Sequence, residues 1–308
     1  MTTRNLVLTY AGIHTAFVAL LFLLNSSYSN LPSQFSIKYK QMSSLESVDV
    51  LVLGSSHTYF GVDASEISSS SYNAALSAQS YKYDFLVLNS LIRRQVKVHC
   101  VLLPISSLSR GYDVETGVEQ WRKYQYWHRY NLHVFALQDY FDIRSYIAIM
   151  GDVDALGSLR CIVTGNVKSQ ANNVRADGTA VVGDGGISSS MAQTQAADAA
   201  TRHLSSTGTN GEYWFRKIVT LCKSSNSKLI LISTPVTREY YQLVSTKLKH
   251  DQKELYEIAK SINKDVVFRD YSQNRSFVYR DFWDCDHLNP TGAKKLGRLI
   301  RRDTVDTR

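Results

Sequence analysis

Gly54-Ser55-Ser56-His57 follows directly on the apolar run Val48 to Leu53, VDVLVL. A buried strand there would deliver a serine hydroxyl at its carboxyl end, with glycine permitting the tight turn. Far downstream, Asp284-Cys285-Asp286-His287 leads through Leu288 and Asn289 to Pro290. An aspartate three residues before a histidine in a turn can accept the Nδ1 proton and leave Nε2 free for a serine. These residue types suit nucleophilic catalysis, with a serine of the turn as nucleophile, His287 as base and Asp284 as the orienting acid. Asp286 is the alternative acid, because spacing alone does not fix the geometry of a turn. His57 adjoins the nucleophile and reads as structural, and Ser55 reads as a turn residue.

The elements that would position these groups follow from periodicity. Val48 to Leu53, Val96 to Leu103 (closed by Pro104), Lys228 to Ser233 (closed by Pro235) and Val266 to Phe268 read as strands. Tyr81 to Gln95, Glu212 to Lys223 and Val244 to Ile262 read as amphipathic helices, and a last helix starts at Asn289-Pro290, where asparagine can cap and proline fits the first position. This alternation predicts an α/β fold with a mostly parallel sheet and helices on both faces, whose catalytic groups gather at the carboxyl ends of the strands. Residues 109–211 break the rhythm. Ten of the 34 aromatic residues lie between Tyr112 and Tyr146, and none lies in 151–211. The first half reads as a helical subdomain core, or else as a sugar-stacking wall carried by Trp121 and Trp127, with Tyr240 as a further cleft-lining ring. The second half, rich in Gly, Ser, Ala and Asn, reads as an exposed or mobile excursion.

Asn5 to Ile37 contains no charged residue, and Leu6 to Leu24 is mostly apolar. Nineteen helical residues span roughly 28 Å, close to the hydrocarbon thickness of a bilayer. NSSYSN after Leu24 offers no clear small-x-small cleavage site. These features favour an uncleaved signal anchor (1–29) over a cleaved signal peptide or a buried helix. A polar tether (30–47) and an exported domain (48–308) follow, with the N-terminus in the cytoplasm by the positive-inside rule. The four cysteines lie about sixty residues apart and match no zinc-ligand template, so they read as buried small residues. No Walker loop, G-x-G-x-x-G or H-E-x-x-H occurs, and neither a cofactor nor a metal is expected. The 35 basic against 27 acidic residues give +8, of which +4 lies between Leu288 and Arg308. For an exported domain this charge suits lipid headgroups or acidic polysaccharide, not nucleic acid.

Taken together, VLVLGSSHTYFGVD and DCDHLNPTGAKKLG resemble the first and last blocks of the SGNH, or GDSL-type, hydrolase superfamily, over roughly residues 48–108 and 212–300. The resemblance implies a flavodoxin-like three-layer α/β/α fold and places Ser56, Asp284 and His287 on the triad. Asn73 to Ala78 is similar to the second block, which implies that the backbone N–H of Ala78, with that of Ser56, faces the oxyanion. The third-block asparagine is missing from Leu103-Pro104-Ile105-Ser106-Ser107, and a Ser106 hydroxyl is the expected substitute. That departure is similar to a membrane-anchored branch that acts in alginate acetylation and teichoic-acid D-alanylation. The resemblance implies O-acyl transfer to an exported polysaccharide, with a membrane-bound O-acyltransferase as partner. The alternatives are a glycan esterase or a catalytically silent glycan-binding or assembly protein.

Overall fold

The computed structural model describes residues 3–29, 31–116, 119–132, 137–147, 155–164, 174–180, 183–205, 208 and 210–304. In chain order the elements are α1 (Thr3–Ser29), α2 (Gln34–Ser43), β1 (Ser47–Val52), α3 (Ser56–Gly61), β2 (Tyr72–Asn73), α4 (Tyr81–Arg93), β3 (Lys97–Pro104) and α5 (Arg122–Arg129). They continue with α6 (Ala155–Thr164), α7 (Ser189–Leu204), α8 (Gly211–Ser224), β4 (Lys228–Ser233), α9 (Arg238–Ile262), β5 (Val267–Asp270) and α10 (Pro290–Thr304). The chain divides into two compact units, Met1–Tyr39 with Val118–Ala171, and Lys40–Gly117 with Asn172–Arg308.

The larger unit is a mixed α/β body built on a five-stranded, all-parallel sheet in the order β2-β1-β3-β4-β5. The chain leaves β1 for the edge strand β2 and returns to the other side of β1 at β3. The carboxyl ends of β1 and β3 therefore flank the point where the strand order reverses, the place where such sheets hold ligands. Both faces of the sheet are covered, which is why β1 reads as a continuous apolar run instead of an alternation. Val50, Val52, Cys100, Leu102, Ile230 and Ile232 share one core with Leu296 and Ile300 of α10. Their neighbours Leu51, Val101, Leu103, Leu229 and Leu231 are equally buried, on the side where α4 packs on β3 and α8 on β4. Leu102→Ala is expected to cost about 2–5 kcal/mol of stability, read as a lower urea midpoint, because a fully buried leucine leaves a cavity.

The strands and helices predicted from periodicity are all present, with ends displaced by a few residues; β2, only two residues long, is additional. Two expectations change. The stretch expected to be a plain tether carries α2, which begins after Ser33, whose hydroxyl exchanges hydrogen bonds with Ser36. The stretch expected to be an exposed or mobile excursion contains α7, a helix capped by Ser188; its Ala196, Ala199 and Ala200 are buried against Tyr240 and Val244 of α9, and its Ala192 joins the sheet core. Alanine at i, i+4, i+7 and i+8 makes a close-packing stripe that barely raises mean hydropathy, so periodicity analysis passes over it. Arg175, earlier in the same stretch, pairs with Asp63 and Asp177 and holds Asp63 below the ordinary carboxylate range against the opposing effect of burial.

In the smaller unit, α1 holds an apolar window, Thr9–Tyr28, long and apolar enough to cross a membrane. Tyr10, Phe17 and Phe22 of that helix are more than half exposed. Tyr28 at its end is buried, with the Arg129 guanidinium stacked over its ring and its hydroxyl accepting from Gln125. Tyr124, Tyr126, Trp127 and Tyr130 are buried in this unit, so these four rings of the aromatic stretch form a packed core.

Candidate active site

The site is assembled at the carboxyl end of β1. Gly54 has φ +111°, and a Cβ there would lie 2.2 Å from Pro104 Cγ at the end of β3. Glycine is therefore required twice over, by conformation and by the close approach of the neighbouring strand. The turn is fixed by Thr58, whose hydroxyl donates to Leu53 O at 2.8 Å, and by the Gly54 N–H donating to Asp84 Oδ1 at 2.7 Å. Ser56 then opens α3 with its hydroxyl half-buried.

From the other end of the chain, the Asp284–His287 turn is held by Thr237, whose N–H and hydroxyl both donate to Cys285 O at 3.0 and 2.7 Å. Asn289 caps α10, its side chain accepting from Gly292 N at 3.0 Å, as proline in the first helical position allows. His287 Nε2 lies 2.8 Å from Ser56 Oγ. His287 Nδ1 lies 2.9 Å from both Asp284 oxygens, and Asp284 Oδ1 also accepts the His287 N–H at 2.7 Å. A carboxylate can only accept, so Nδ1 carries the proton and Nε2 is left to accept from the serine. Ser56, His287 and Asp284, 231 residues apart at the serine–histidine contact, thus form one hydrogen-bonded chain.

Asp286, the alternative acid, has a different place. Its Oδ1 is 3.4 Å from His287 Nδ1, while its Oδ2 accepts from His57 Nε2 at 3.0 Å and lies 3.7 Å from His203 Nδ1. One buried carboxylate is therefore ringed by three imidazoles. Burial alone would raise its pKa, but His287, His57 and His203 hold Asp286 well below the carboxylate range. Burial works against a charged His287; Asp286 and Asp284 outweigh it and keep that imidazole above the ordinary histidine value. Burial and the neighbouring His57 push His203 down to about 4, so at neutral pH it is uncharged, with its Nδ1 hydrogen-bonded to the Tyr240 hydroxyl at 2.6 Å.

His57, expected to be structural, sits behind His287 with ring centroids 5.0 Å apart. It lines a recess with Ser106, Ser107, Ser233 and Thr234, and its buried Nδ1 has no hydrogen-bond partner among the described residues. The trio His57, Asp286 and His287 has metal-ligand chemistry, with ligand atoms within 4.8 Å of one another. His57 Nε2 and Asp286 Oδ2 are already bonded to each other, and His287 Nδ1 to Asp284.

For the oxyanion, neither the Ser56 N–H nor the Ala78 N–H has an acceptor among the described residues. Ala78 has φ +55°, a left-handed conformation that glycine ordinarily supplies. Its loop is tied to the Ser56 turn, since Leu76 N donates to Gly54 O at 3.3 Å, and Asn73 Nδ2 donates to Thr58 O and Val62 O, both at 2.9 Å. Ser106 does not take the substitute role. Its Oγ faces its own loop, 2.8 Å from Ser109 Oγ and accepting from the Leu108 and Ser109 N–H groups. Trp127 and Tyr240 are each 1% exposed, so neither offers a ring face to a sugar. Trp121 belongs to the smaller unit, where the Arg122 guanidinium lies 4.6 Å from its ring.

Asp84 is a site residue that carries no signal in the sequence. Fully buried, its Oδ1 accepts from both Gly54 N at 2.7 Å and Gln79 Nε2 at 2.6 Å, coupling the turns that precede Ser56 and follow Ala78. Burial pushes its carboxyl up to about 7, against those two bonds. The raised value means the fold favours the neutral acid. Its stabilising effect is complete below the unfolded value near 3.8 and is lost as pH rises toward 7. Asp84→Asn keeps the acceptor and is expected to abolish that pH dependence, roughly 4 kcal/mol across the interval. Asp84→Ala strands two buried donors and is expected to cost about 2–5 kcal/mol at any pH. Urea midpoints from pH 4 to 8 for the three proteins check both.

No protein-family model and no curated protein sequence matches the chain.

Proposed function

We propose that the protein is a membrane-anchored serine acyl-transfer enzyme of the SGNH type, forming an acyl-Ser56 intermediate. The observation that carries this is the unbroken Ser56–His287–Asp284 hydrogen-bond chain at the reversal point of the sheet. The strand order 2-1-3-4-5 and the helices on both faces support the flavodoxin-like three-layer fold that the sequence motifs imply.

In this reading His287 Nε2 removes the Ser56 proton as Oγ attacks an ester carbonyl, and the Ser56 and Ala78 N–H groups receive the developing oxyanion. Asp284 holds the imidazole in the required tautomer. The same proton then passes from His287 to the departing alkoxide. A second hydroxyl, deprotonated in turn by His287, attacks acyl-Ser56 and restores the free serine. With α1 as an anchor, the acceptor proposed is a hydroxyl of an exported or cell-surface polysaccharide, and a membrane-bound O-acyltransferase is the proposed source of the acyl group.

The test is mass spectrometry of the full-length protein after exposure to an aryl acetate. An acetyl group on the Ser56 peptide, absent in Ser56→Ala, is expected. A wild-type chain that acquires no acyl group and releases no acetate would sink the reading. Surface-glycan acylation in cells then separates the outcomes: Ser56→Ala lowers it if the protein is a transferase and raises it if an esterase.

A further inference from the structure

Helix α6, ALGSLRCIVT, carries an apolar stripe wider than the part of it that is covered. Leu159 and Ile162 pack beside Tyr28, the last residue of the apolar window of α1. Leu156 and Val163, three residues before and four after Leu159 on the flank of the same stripe, are 82% and 80% exposed. A surface helix ordinarily turns its apolar stripe inward, and an apolar flank left outside needs something to cover it. The stretch Leu137–Tyr146 in the same unit repeats the anomaly, with Leu137 at 79% and Phe141 at 86% exposure and the Tyr140 and Tyr146 rings more than half exposed. Its acidic groups are taken up inside the unit: Asp139 by Lys123 Nζ at 2.8 Å, and Asp142 by Arg144 Nη2 at 2.8 Å and the Tyr124 hydroxyl. The only charged residue of α6 is Arg160, exposed on the same outer face as Leu156.

We propose that Leu137–Tyr146 and α6 form a collar seated in the headgroup and acyl-chain boundary of a lipid bilayer, around the point where α1 leaves it. The proposal rests on reading α1 as a membrane span. Continuity argues for lipid as the occupant: Leu159 and Ile162 of α6, and Ile147 directly after Tyr146, pack at Tyr28, where the apolar window of α1 ends, and the exposed Leu156 and Val163 flank Leu159 on the same helix. The composition fits that depth, with leucine, valine and phenylalanine to enter the acyl region, tyrosines at the level of the headgroups, and Arg160 long enough to reach phosphate.

The experiment uses full-length protein with Cys161→Ala, in phosphatidylcholine–phosphatidylglycerol vesicles with lipids brominated at shallow or deep acyl positions. A fluorophore is placed at Phe141→Cys, at Leu156→Cys or, within α1, at Phe17→Cys. Quenching of the Phe141 and Leu156 labels by at least twofold, stronger with shallow than with deep bromines, is expected. Equal emission in brominated and plain vesicles would overturn the collar. So would concentration-dependent self-quenching without lipid quenching, which would mean a second copy covers the face. The Phe17 label reports separately on the span: if it is quenched while the other two are not, the collar fails and the anchor stands.

Discussion

Ser56→Ala is expected to lower turnover of an aryl acetate by about 10⁴-fold to 10⁶-fold while leaving the unfolding midpoint unchanged. The serine hydroxyl is half-buried and its side-chain partner is His287 Nε2, so its removal creates no large cavity and strands one acceptor at the edge of the site. His287→Ala is expected to cost about as much, and the double variant scarcely more than either. Such non-additivity follows from the arrangement: without the base the hydroxyl is not deprotonated, and without the hydroxyl the base has nothing to activate. The residual rate above the uncatalysed reaction would come from the Ser56 and Ala78 N–H groups, which both single variants retain. Steady-state kinetics on the two singles and the double decide the matter. Losses that multiply would show that the two residues do not act as one unit.

The triad was legible because each member stands at a place that local rules mark: a serine after a buried strand and a glycine, a histidine just before an Asn-Pro helix start. The sheet was legible from VDVLVL, VKVHCVLL and KLILIS, short β-branched runs closed by Gly or Pro, whose carboxyl halves are buried on both faces. What the sequence hid is what depends on long-range packing. Asp84 looks like one more polar residue on an amphipathic helix, and nothing local says that its carboxyl meets the Gly54 N–H thirty residues earlier. His203 sits in an alanine-rich helix whose low hydropathy suggested an excursion, yet that helix brings it to Asp286 and Tyr240. Ser106 failed as a predicted donor because a serine three residues before another serine can close its own turn, and Ser109 completes that bond. Trp127 and Tyr240 were offered as sugar platforms on residue type alone, and burial removes that role.

The two carboxylates beside His287 are expected to differ in kind. Asp284→Asn is expected to cost about 10⁴-fold in kcat, because a carboxamide can donate to Nδ1 and fix the tautomer whose protonated Nε2 cannot accept from Ser56. Asp286→Asn keeps an acceptor for His57 and removes only a negative charge 3.4 Å from Nδ1. Burial favours a neutral His287, and Asp286 is the strongest of the influences that hold its pKa above the ordinary value instead. Since the base must be neutral to act, kcat/KM of the wild type should rise with pH through a midpoint above the usual 6.5 or so. In Asp286→Asn the midpoint should move to lower pH, giving relatively more activity in acid and a modest loss on the alkaline plateau. Stability carries the same signature with its own sign. A base whose folded pKa is raised stabilises fully below its unfolded value and loses that effect as pH rises through the folded one. Asp286, held low, stabilises above its unfolded value near 3.8. The gap in unfolding midpoint between wild type and Asp286→Asn should therefore be widest between about pH 4 and 6.5 and narrow above it. An unmoved kinetic midpoint in Asp286→Asn would mean that Asp284 alone sets the basicity of His287.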